Sequence, residues 1–118
     1  MIDDNEIKKL LGQSKTEYAN FLKHSKSDDL AEAGELLWEC FRTDIAQVTN
    51  TKIDDINALI AAANQMGEPF NELFFHCYHF HSWYLGGGVP NDFETEKKLY
   101  EKSVKSLERI MMKRKNNR

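Results

Sequence analysis

The stretch from Asp28 to Val48, DDLAEAGELLWECFRTDIAQV, decides the fold class. Leu30, Ala33/Gly34, Leu37, Phe41, Ile45 and Val48 recur at steps of three or four residues, which places them on one stripe of an α-helix. Asp29 and Glu32 stand at capping-box spacing, with Ser27 and Asp28 as competing caps, so this helix is expected to run to about residue 48. A segment that patterns so strongly at 3.6 residues per turn needs helical partners for its stripe, and the rest of the chain supplies them.

Working outward, Ile7, Leu11, Tyr18, Phe21 and Leu22 mark a first helix over about residues 3–24, followed by the polar link His24-Ser25-Lys26-Ser27. After the break at Asn50-Thr51, with Thr51 as its cap, a third helix carries Ile53, Ile56, Ile60 and Ala63 and ends at Gly67. Pro69 opens a fourth helix to about Leu85. Gly86-Gly87-Gly88-Val89-Pro90 stops it as a glycine-dependent turn, not as a phosphate loop, because no strand precedes it and no Lys-Ser/Thr follows. Asn91 and Glu94 repeat cap spacing, and a fifth helix follows to about Lys113 through Phe93, Tyr100, Val104, Leu107 and Met111. No period-2 alternation supports a strand. Short connections make consecutive helices antiparallel, so the expected fold is an all-α, up-and-down bundle of four to five helices in one domain spanning residues 1–118. No pattern recurs at a 34-residue step, which leaves a tetratricopeptide pair as a poor alternative.

The 118 residues are 41% hydrophobic and 30% charged, enough apolar side chain for one core and too much for a disordered chain. No apolar run is long enough to span a membrane, and the acidic start resembles no signal peptide. Cys40 and Cys77 are isolated and read as buried thiols of a cytoplasmic protein. Charge is uneven: residues 1–96 hold 7 basic and 17 acidic side chains, residues 97–118 hold 9 basic and 2 acidic. Residues 113–118 are expected to form a flexible basic tail. Any nucleic-acid binding should be weak and rest on Lys113, Arg114, Lys115 and Arg118, since the acidic body repels phosphate.

The fourth helix, Phe70 to Leu85, carries most of the aromatic residues. Phe70, Leu73, Phe74, Cys77, His81 and Tyr84 cluster on one face, and Phe75, His76, His79 and Trp83 fall roughly opposite. Cover on both sides is then needed, and a second copy of the chain can provide one, which makes Phe75, His76, His79 and Trp83 the expected homodimer interface. His76/His79 and Cys77/His81 point in nearly opposite directions and cannot make one four-ligand metal site. Only Cys40 with Asp44 could complete either pair, and no CxxC or HExxH occurs, so neither metal nor cofactor is expected. Asp44 falls on the interior side of the second helix, where a carboxylate needs a partner. His81 is the donor expected to meet it, with Tyr84 or Tyr18 as the candidate third member, and Asp44 with His81 is the one candidate acid/base pair.

Ala33-Gly34-Glu35-Leu36-Leu37-Trp38 resembles the A-x-E-x-L-W helix of a subgroup of small archaeal HEPN-like bundle proteins, and the helix with His81 followed by Trp83-Tyr84 is similar to that subgroup's His-plus-"FY" helix. The resemblance implies an all-helical bundle, frequent two-fold dimers and, in some members, RNA cleavage or nucleotide binding. The ribonuclease members carry Arg and His four to six residues apart. Here Arg42 is followed by no histidine before His76, and none follows Arg109 or Arg114, which argues against that activity. The expected function is a non-enzymatic, homodimeric binding or regulatory module with a protein partner. The alternatives are a nucleic-acid or nucleotide-binding module on the basic last helix and an enzyme built on Asp44 and His81.

Overall fold

In a computed structural model, residues 4–86 and 92–116 are described, the side chains of 115 and 116 excepted. They form five α-helices and no strand: α1 (Asp4–His24), α2 (Ser27–Thr49), α3 (Ile56–Met66), α4 (Phe70–Gly86) and α5 (Phe93–Asn116). No helix among the described residues is long and apolar enough to cross a membrane.

The ends follow local chemistry, and several differ from expectation. α2 begins at Ser27 after Lys26, with no side-chain cap bond, so the Asp29/Glu32 capping box does not form. Its other end is closed as expected by Asn50, in the left-handed conformation at φ 54°. Thr51 does not cap α3, because the helix starts only at Ile56, five residues on; its hydroxyl instead lies 2.7 Å from that of Thr49. The cap is Asp55, which accepts from the Ala58 amide at 3.0 Å, so Ile53 packs on the core from outside the helix. Gly67, at φ 76°, ends α3. Asp92 accepts from the Thr95 amide at 2.8 Å ahead of α5. The expected cap Asn91 and the turn residues 87–90 lie outside the described residues.

α2 is the axis of the molecule and touches each of the other four helices. Its Leu30, Ala33, Leu37, Trp38, Cys40, Phe41 and Ile45 are fully buried. α1 lies against it through the Ser14 hydroxyl, which donates to the Ala33 carbonyl, and the Cys40 thiol, which donates to the Ile7 carbonyl. Residue numbers rise along one helix as they fall along the other, so α1 and α2 run in opposite directions. α4 crosses α2 at Gly34: a Cβ built there would sit 2.6 Å from Phe80 Cβ, so this glycine is what allows the close approach. α5 closes the other side, with Tyr100 stacked on Tyr18 at 4.2 Å and 2.8 Å from the Ser14 hydroxyl.

Candidate functional site

Asp44 is fully buried on α2, as its place on the stripe requires, but its partner is not His81. The Arg114 guanidinium donates to both carboxylate oxygens, Nη2 to Oδ2 at 3.0 Å and Nη1 to Oδ1. This hydrogen bond to the carboxylate holds the guanidinium pKa above its ordinary value. The fork geometry suits a carboxylate that has lost its water. The expectation fails because α5 continues as a helix through Asn116, three residues past its expected end at Lys113. Arg114 is thereby carried to the buried end of α2 and is no free tail cation. Lys113 is exposed; the side chain of Lys115 and the whole of Arg118 lie outside the described residues.

His81 instead meets Glu35, with Nδ1 2.8 and 3.1 Å from the two carboxylate oxygens. Its ring stacks on Trp38 at 5.2 Å, and Tyr78 borders both rings. Burial pushes the Glu35 pKa upward, opposed by the hydrogen bond and charge of His81. Two donors nearby on α2, Trp38 Nε1 and Arg42 Nε, are buried without a hydrogen-bond partner. His81 is therefore hydrogen-bonded to a different carboxylate from the one expected. The pair can hold a proton between two groups, but among the described residues no hydroxyl or thiol is hydrogen-bonded to it. A signal for Glu35 was present: Glu35, Trp38 and Arg42 form a second stripe on α2, flanking the apolar one.

The four expected interface residues separate. Trp83 is only 8% exposed and belongs to the core. His79 Nε2 lies 2.9 Å from the Glu96 carboxylate, which is itself buried. His76 is half-buried, with Nε2 3.9 Å from Glu72, and burial pushes its pKa down. Glu96 on α5 meets His79 on this flank of α4, so the second cover expected from another copy comes partly from the same chain. Phe75 alone of the four stands out, at 68% exposure. It heads a stripe with Tyr78, at 39%, and Leu85, at 69%, that reasoning from two opposed faces missed. Ser82 lies between them, at helical spacing.

Two further surfaces lie on α5. Lys98, Lys102, Lys105, Arg109 and Lys113 are exposed and follow steps of three or four residues along its outer side. Lys102 meets Glu72 at 3.0 Å; the other four form no ion pair among the described residues. At the C-terminal end of α5 a cleft of about 500 Å³ opens between the ends of α2, α3 and α5 and the start of α4. Val48, Met66, Phe70 and Ile110 give it apolar walls, and Arg109, Lys113 and Arg114 border it.

Both cysteines are free and buried, and burial pushes the Cys40 thiol up to about 12 and the Cys77 thiol well above its ordinary range. Among the described residues no three His, Cys, Asp or Glu side chains gather as a metal ion would require. The chain matches no protein-family model, and no curated protein or solved structure matches it.

Proposed function

We propose that this chain is a homodimeric, non-enzymatic binding module with the up-and-down architecture of the HEPN-like bundles, working in a reducing compartment, and that its two copies meet through the outer face of α4. The carrying observation is chemical: in a chain that is 30% charged, the 17 residues of α4 contain one charged side chain, Glu72. The outward stripe of that helix is Phe75, Tyr78, Ser82 and Leu85. Interface cores lose charge and gain aromatic residues in this way, and a single helix stripe is self-complementary about a two-fold axis. Light scattering on the purified chain should give twice the chain mass, and Phe75→Glu should give the monomer mass with its helix content unchanged. A monomeric parent, or a Phe75→Glu variant that stays dimeric, removes this reading. Trp83 is the wrong position for the test, because a charge there would disrupt the core.

A second reading, weak nucleic-acid binding, is favoured by the basic stripe on α5. Lys98, Lys105 and Arg109 extend the expected Lys113 along the helix. Heparin retention that falls with Lys98→Glu and Lys105→Glu, and with rising salt, supports this reading. Retention that survives both changes rejects it.

A further inference from the structure

We propose that the cleft at the C-terminal end of α5 binds a small amphipathic anion, a molecule with an apolar body and one carboxylate or phosphate head. The cleft is independent of the α4 face and of the dimer built on it. Its volume of about 500 Å³ lies within the range of small-molecule sites, and its walls come from four helices. Val48, Met66, Phe70 and Ile110 offer an apolar body a place away from water.

The border of the cleft sets the sign of the head group. Arg114 is already committed: Asp44 takes its fork, and Asp4 adds a further negative field. That leaves Arg109 and Lys113, one helical turn apart on α5, exposed and without an ion pair among the described residues. Glu68 is the one acidic residue on the lining. Two uncommitted cations against one acid favour an anion, and the guanidinium of Arg109 can present two parallel donors to a carboxylate or phosphate. The buried Asp44–Arg114 pair fixes the end of α5 against α2, which keeps Arg109 and Lys113 aimed at the same mouth. The remaining lysines of the stripe, Lys98 and Lys105, extend a positive field away from the cleft and steer an anion toward it.

The test is saturation-transfer NMR and calorimetry on the whole chain with four probes: octanoate, octyl phosphate, octylamine and inorganic phosphate. Octanoate or octyl phosphate should bind, and the stronger of the two identifies the head group. Octylamine has the same body and the opposite charge, and inorganic phosphate has the charge without the body; each should bind at least about tenfold more weakly. Arg109→Glu and Lys113→Glu should each weaken the binding of the preferred probe by about tenfold, with the circular dichroism spectrum retained. Lys98→Glu, away from the cleft, should change it less than about twofold. Octylamine binding as tightly as octanoate, or no transfer to either amphipathic anion at millimolar concentration, overturns the proposal. So does a short oligothymidylate that binds more tightly than all four probes and depends on Lys98, which would make the stripe a polyanion surface and the cleft a bystander.

Discussion

At Asp44 the identity of one partner controls both stability and interpretation. Its carboxylate is fully buried, and Arg114 supplies the compensating charge from 70 residues away. Removing one member of such a pair leaves a buried charge alone, at a cost of about 3–5 kcal/mol. Arg114→Met should therefore destabilise the fold by roughly that amount in urea unfolding, and adding Asp44→Asn should recover part of the loss. The cycle of Asp44→Asn with His81→Phe should be additive, since those two side chains meet different partners. A large coupling in the second cycle and none in the first would contradict the pairing. Gly34 offers a second residue-level test. Alanine has the higher helix propensity by about 1 kcal/mol, yet its Cβ would lie 2.6 Å from Phe80 Cβ, so α2 and α4 must separate. Gly34→Ala should lower thermal stability by about 1–3 kcal/mol, read as a loss of several degrees in melting temperature. An increase would show that the crossing is loose.

Among the elements, α4 and α5 divide the cover that the sequence of α4 demands. α4 is apolar around most of its circumference, which reads as a helix awaiting a partner copy. Much of that demand is met within the chain: the α5 flank takes His79 through Glu96 and packs Phe80 against Tyr100. What remains uncovered is narrower: Phe75, Tyr78 and Leu85 on the outward stripe, with Tyr84 exposed beside Leu85. Tyr78 also borders Trp38 and His81, so its replacement affects the Glu35–His81 pair as well. Leu85→Lys isolates the proposed interface better: if the proposed dimer forms, the change should shift it toward monomer in sedimentation velocity without lowering the melting temperature of the separated chains. A dimer of undiminished affinity in Leu85→Lys would confine the seam to the Phe75 end. α5 is the bundle helix that its apolar stripe predicts, and it runs past Lys113 into the expected tail; it is tied to α1 by Glu101 and Glu108, to α4 by Lys102 and to α2 by Arg114.

For the whole molecule, the free thiols and buried phenols set the response to alkali. Cys40 is pushed up to about 12 and Tyr100 to about 12, in each case chiefly by burial. A group whose pKa rises on folding lends stability that is complete below its unfolded value and is lost as pH climbs through the folded value. The unfolded thiol and phenol titrate near 9.0 and 10.0, so unfolding free energy should fall steadily from about pH 9 to about pH 12. Urea midpoints across that range check it, and a flat profile would mean that both groups ionise freely in the folded state. The same burial predicts that neither thiol reacts with Ellman's reagent at pH 8 until denaturant is added, when both should react.

Sequence by itself determined the helices and the apolar stripe of α2, because side-chain period is a local property. Leu30, Leu37, Phe41 and Ile45 had to share a stripe wherever α2 was placed, and Gly67 had to end α3 whatever surrounded it. The same period put Asp44 inside. It could not choose between His81 and Arg114 as the partner, because that depends on how far α5 extends and which end of α2 it reaches. Cap identity also escaped the sequence, since Thr51 and Asp55 both have the chemistry of a cap and α3 starts after the second. Trp83 was placed outside and Glu35 was overlooked for one shared reason. Helical period fixes the angle of a side chain about its own axis, while burial depends on which neighbouring helix lies at that angle. Only the tertiary structure decided that Glu96 of α5 meets His79, that Trp83 is buried, that Glu35 faces His81, and that four helix ends meet around a cleft bordered by Arg109 and Lys113.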